Sequence, residues 1–132
     1  MVYVFDFTVP KNTTKETQQL KRLKLCYGII HQIDIVFPSG CCGLVHAHID
    51  DALHQVWPTN PDGTFSGDGA PISGKVFHEL AVEPFELQLW AWNEDDSYDH
   101  TITVRIWILK PWHLLPFSEQ MWRYAEKAPR EE

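Results

Sequence analysis

His46 and His48 stand two positions apart, so on an extended strand both imidazoles project from one face. Asp50, Asp51 and His54 follow within hairpin reach. A His-x-His pair completed by a third imidazole or a carboxylate suits Zn, Mn or Fe. His46, His48 and His54 would then centre a small metal-dependent β-barrel enzyme. The plainer reading follows from alternation: Val45, Ala47 and Ile49 take the buried face, and the two histidines take the solvent face. That reading is preferred, so no metal and no cofactor is expected. Glu94, Asp95, Asp96 and Asp99 crowd a second segment, beside Asn93. Carboxylates on one loop can hold Ca²⁺, but the spacing lacks the EF-hand order and its turn glycine. A solvated hairpin loop is the simpler expectation.

Trp90, Trp92 and Trp107 form the third constellation. Trp90 and Trp92 lie opposite Phe85, Leu87, Leu89 and Ala91 on one strand, and Trp107 lies opposite Ile102, Val104, Ile106 and Ile108 on the next. If those strands pair, the indoles line one outer face as candidate ligand-binding residues, an aromatic strip suited to stacking sugars. Cover by protein is the competing and preferred account, because monomers seldom expose large apolar patches. Cys41-Cys42 sits in a Ser-Gly-Cys-Cys-Gly turn. A nucleophilic thiol needs a base and a lowered pKa, and no orienting partner for His46 is visible in the sequence. Three cysteines, two of them adjacent, do not make a disulfide framework. No catalytic residue is assigned and no enzyme is expected.

The elements that must position these residues read as strands. Val2–Val9 reads as a first, largely buried strand, and Pro10–Gln19 as a loop. Leu20–Tyr27 reads as a half-exposed strand, with a bend at Gly28. In Ile29–Phe37 the pattern puts Ile29, His31, Ile33, Ile35 and Phe37 on one face, with Ile30, Gln32, Asp34 and Val36 on the other. Leu44–Ile49 and Leu53–Trp57 flank a turn at Asp50-Asp51, and Thr59–Ala70 is a Gly/Pro-rich loop. Ile72–Leu80, Phe85–Trp92 and Thr101–Lys110 complete the set. About eight short strands with turn signals between them, and no helical period, predict an all-β fold. The expected architecture is an antiparallel β-sandwich or jelly-roll over residues 1–110. A C-terminal arm or short helix follows over 111–132, with Ser118–Lys127 as the helical candidate.

That arm carries Trp112, Phe117, Met121, Trp122 and Tyr124, residue types enriched at interface cores. They are the candidate interface, and a homo-oligomer is expected. At 132 residues the chain fits one domain able to bury a core unaided. Its formal net charge of −7 argues against a general grip on nucleic acid, which needs clustered Lys and Arg. No run approaches the roughly 20 apolar residues of a membrane span. Met1–Asp6 has no basic n-region and no small-residue cleavage site of a signal peptide, so synthesis in a cytoplasm without export is expected.

Several stretches also carry a resemblance. They are Phe37-Pro38-Ser39-Gly40-Cys41-Cys42-Gly43-Leu44-Val45-His46, His54-Gln55-Val56-Trp57-Pro58-Thr59-Asn60, Glu83-Pro84-Phe85-Glu86-Leu87 and Trp92-Asn93-Glu94-Asp95-Asp96-Ser97-Tyr98-Asp99-His100-Thr101. Together they resemble small β-sandwich structural and accessory proteins of tailed phages and related mobile elements, over Val2–Leu109. None is a catalytic motif, so no functional residue carries over. The resemblance implies a virion protein made in the host cytoplasm: a capsid decoration (cement) protein, or a fibre or adaptor component. Its partners would be its own copies and a capsid or other virion protein. The alternatives are a carbohydrate-binding module using Trp90, Trp92 and Trp107, and the metal-dependent enzyme above.

Overall fold

The computed structural model describes residues 1–110; the candidate interface residues Trp112, Phe117, Met121, Trp122 and Tyr124 lie outside them. Eight strands form: β1 (Val2–Val9), β2 (Gln19–Lys24), β3 (Gly28–Val36), β4 (Val45–Asp51), β5 (His54–Trp57), β6 (Pro71–Leu80), β7 (Glu86–Asn93) and β8 (His100–Leu109). One antiparallel sheet has the order β1-β8-β3-β6, the other β2-β7-β4-β5. That order is the doubled Greek key of a jelly roll.

Alternation decides which face of each strand is buried. Ile102, Val104, Ile106 and Ile108 of β8 lie fully buried, as do Leu87, Leu89 and Ala91 of β7 and Val45, Ala47 and Ile49 of β4. Their side chains meet between the sheets with Leu23, Ile30, Ile35 and Phe37. Burying each large aliphatic or aromatic side chain contributes about 1.5–3 kcal/mol, so this layer supplies the main drive for folding.

Three local expectations change. β1 is not largely buried: Val2 and Val4 are exposed, and Tyr3, Phe5 and Phe7 are only partly covered, because β1 is an edge strand. In β3 the register shifts between Ile30 and Gln32, a bulge at His31. The extra residue reverses the alternation, so Ile30 joins Ile33 and Ile35 in the core. The turn after β4 is at Ala52-Leu53 rather than Asp50-Asp51: both aspartates are in the strand, and Ala52 takes the left-handed conformation (φ 57°). Gly28 opens β3 hard against β8. A Cβ there would stand 2.6 Å from Ile108 Cγ2 and 2.8 Å from the Leu109 carbonyl oxygen, so the position requires glycine.

The two ends of the sandwich differ. At one, four loops are knitted together. Asn12 N–H donates to Asp95 O, Glu94 N–H to Leu44 O, and Gly69 N–H to Phe37 O. Gly40 N–H donates to the Asp68 carboxylate at 2.7 Å. At the centre lies Asn93, fully buried. Its Nδ2 donates to Val9 O (3.2 Å) and Tyr98 O (2.9 Å), and its Oδ1 accepts from Asp95 N–H (2.9 Å). At the other end stand Met1, the short connections after β2, β4 and β6, and Lys110. There His78 of β6 meets Asp51 of β4 at 2.7 Å and packs edge-on against Trp57 of β5, joining the sheets.

Candidate functional site

The outer face of β2-β7-β4 gathers the chemistry. Register places Arg22, Gln88 and Asp50 in one cross-strand row, and Leu20, Trp90 and His48 in the next. Trp92 and His46 form a third row. The histidines share one face, as their spacing predicts, but they are half-buried in an aromatic cluster rather than bathed in solvent. His46 stacks on Trp92 (centroids 5.1 Å apart, planes at 24°), and His48 meets the same indole edge-on. Trp92 therefore points outward yet is only 6% exposed. Its Nε1–H donates to Glu94 Oε1 at 3.2 Å.

His48 is held at both nitrogens. Nδ1 lies 2.7 Å from Asp50 Oδ1, and Nε2 lies 3.0 Å from Gln18 Oε1. A carboxylate orienting an imidazole is two-thirds of a hydrolytic triad. Here the nucleophile's place beside Nε2 is taken by an amide. His46 Nδ1 faces the Thr64 hydroxyl at 3.3 Å, and its Nε2 lies 3.6 Å from Glu94 Oε1. The Gln88 Oε1 atom is buried without a hydrogen-bond partner, the one such side-chain atom among the described residues.

His54 does not join His46 and His48. It is exposed and pairs in register with Asp51 at the far end of the hairpin. Among the described residues, no three His, Cys, Asp or Glu side chains converge in a metal-ligand arrangement. The acidic loop is committed elsewhere. Asp95 binds His100 Nε2 at 2.8 Å and accepts from Ser97 N–H. Asp96 accepts from the Ser97 hydroxyl, Asp99 from Lys11 N–H, and Glu94 from Trp92. The hydrogen bond from His100, then that from Ser97 N–H, holds the Asp95 carboxyl below the usual range.

The three-tryptophan strip does not form. β7 and β8 follow each other in sequence but lie in different sheets. Trp90 and Trp92 face out from one sheet; Trp107 faces out from the other, in the row Val2, Trp107, Gln32, Lys75. Segment 94–99 is a crossing between sheets, where the sequence pattern suggested a hairpin. Cys41 is fully buried, and burial, reinforced by the nearby Asp68 charge, pushes its thiol up to about 11, opposite to what a nucleophile needs. Cys42, next in the chain, is exposed.

Sequence reasoning missed the apolar end. Met1, Val2 and Tyr27 are exposed there, with Leu53 (94%) and Val82 (79%) at the tips of the turns after β4 and β6. The available signal was a large aliphatic residue at each turn, where polar residues normally stand. No helix among the described residues is long and apolar enough to cross a membrane. The chain matches no protein-family model and no curated protein.

Proposed function

We propose that this jelly roll is a non-enzymatic structural module of a virion, of the capsid-decoration or accessory type, acting by self-association and by docking on an assembly. The carrying observation is the polarity of the sandwich. One end is closed by hydrogen bonds between loops; the other presents Leu53, Val82, Tyr27, Met1 and Val2. Aliphatic side chains fixed at turn tips cost solubility unless a partner covers them. The jelly roll is a framework shared by capsid proteins, lectins and cupins, so the fold admits this role without selecting it. The interior is packed with side chains, and His46 and His48 lie on the outer face of their sheet, which supports a packing role over chemistry between the sheets.

The test is sedimentation of the full chain across a wide concentration range, beside a Leu53→Asp/Val82→Asp variant. Association that the double variant weakens while its melting temperature holds supports the reading. A wild-type chain that stays monomeric, with the variant indistinguishable from it, refutes self-association through this end.

A second reading rests on one observation. Trp90 is half-exposed at the middle of the β2-β7-β4 face, with Arg22, Gln88, His48 and Asp50 around it. An aromatic ring flanked by fixed polar groups is how protein surfaces seat a sugar. Glycan titration of tryptophan fluorescence, compared with Trp90→Ala, tests it. No saturable change removes this reading.

A further inference from the structure

The sandwich has four edge strands, and three are blunted against pairing. β5 is four residues long. β2 carries Lys21, Arg22 and Lys24 within six residues. β6 contains Pro71, Gly74 and Lys75. β1 differs: Val-Tyr-Val-Phe-Asp-Phe-Thr-Val runs for eight residues with one charge and no proline or glycine.

The hydrogen-bond phase of β1 is fixed. Met1 and Ile108 exchange both main-chain bonds, N to O, at 2.9 and 2.8 Å. Bonded and non-bonded pairs alternate along an antiparallel ladder. Tyr3, Phe5, Phe7 and Val9 therefore direct their N–H and C=O toward β8. Val2, Val4, Asp6 and Thr8 direct theirs to the open edge. Among the described residues β1 pairs with β8 alone, and no other main-chain bond to these four residues is formed. Val2 and Val4 (58% exposed) also carry their side chains on the outer sheet face.

We infer that β1 is a homotypic interface: two copies of the chain pair their β1 strands antiparallel about a two-fold axis at Phe5. In this register Val2 lies opposite Thr8 of the second copy, and Val4 opposite Asp6 of the second copy. All four outward-directed residues of each strand become bonded pairs, and no like charges stand directly opposite. A shift of the axis to Val4 sets Thr8 beyond the second copy's Val2–Val9 strand; a shift to Asp6 sets the two carboxylates face to face. The two four-stranded sheets containing β1 become one continuous sheet across the dimer. Such an isologous contact closes at two copies, and the apolar end, which it does not use apart from Val2, remains to associate one dimer with another or to dock as proposed above. The inference rests on that reading and adds a second self-contact to it.

The test is Val4→Pro in the full chain. Proline removes only the outward N–H of Val4, so the β1–β8 ladder is kept. The expected result is a wild-type dimer that weakens by roughly tenfold or more in the variant, with near-ultraviolet circular dichroism retained. A register test covers the case where this variant misfolds. In a Cys42→Ser background, chains carrying Val4→Cys and chains carrying Asp6→Cys are mixed under mild oxidation. Opposed positions in a bonded pair lie about 5.5 Å apart at Cα, within disulfide range. The mixture should cross-link between the two chains, and neither chain should cross-link alone. An oligomer that Val4→Pro leaves intact, or a mixture that does not cross-link, overturns the β1 interface and leaves the wider assembly reading standing. A wild-type chain that is monomeric throughout overturns self-association as well.

Discussion

Asn93→Ala should be among the most damaging single substitutions outside the aliphatic core. The side chain makes three hydrogen bonds to main-chain groups of two separate segments: Val9 at the end of β1, and Asp95 and Tyr98 near the start and end of the crossing. Alanine removes all three and leaves the Val9 carbonyl with its β8 ladder bond alone. At about 1 kcal/mol for each bond the loss is about 3 kcal/mol. Unfolding entropy of about 2.1 cal/mol/K per residue gives roughly 0.28 kcal/mol/K for the 132-residue chain. The melting temperature should therefore fall by about 11 °C. Thermal scans by circular dichroism, with urea titration to check that the m-value holds, measure it. A fall under about 3 °C, or roughly 1 kcal/mol, would refute the reasoning. The main-chain bonds from Asn12 to Asp95 and from Thr13 to Asn93 would then tie this end unaided.

Two further predictions concern titrating groups. The Asp95 carboxyl is held below its ordinary value in the folded state, so the unfolded chain binds the proton more readily. Its contribution is present above the unfolded carboxyl pKa of about 3.9 and is lost as pH falls through the folded value. Asp95→Asn should flatten the acid limb of a stability–pH profile below about pH 4; an unchanged limb would contradict the pairing with His100. For the thiols, Cys42 should react with a maleimide in the native protein, while Cys41 should label only on unfolding. Peptide mass mapping distinguishes them, and equal labelling rates would mean that the 37–44 loop opens readily.

Much of the strand pattern was legible because alternation reports burial directly. Leu87, Leu89 and Ala91 against Trp90, and Ile102 to Ile108 against Arg105 and Trp107, are disposed as the period of two requires. Pairing was less legible. Nothing in Asn93–His100 distinguishes a hairpin turn from a crossing between sheets; the difference lies in Asn93 and Asp95, whose side chains fold the segment back on β1 and β8. The bulge at His31 was hidden because an inserted residue leaves composition untouched while reversing every face before it. Trp92 shows the same limit. Its position marks it as outward, but only the stacked His46 and the edge of His48 explain why so little of it is wet.

The pairing of β1 with β8 bears on how the chain reaches this state. Met1 and Ile108 are 107 positions apart when they bond. During synthesis β1 thus has no neighbour in its own sheet until β8, the last strand of the described residues, has been made. Closure of so long a loop precedes any gain from the contacts it enables, which places folding toward the slow, millisecond-to-second end for a domain of this size. Through that interval both edges of Val2–Val9 are bare. Concentration during synthesis, rather than stability of the finished sandwich, then governs the competition between correct closure and premature pairing of nascent chains.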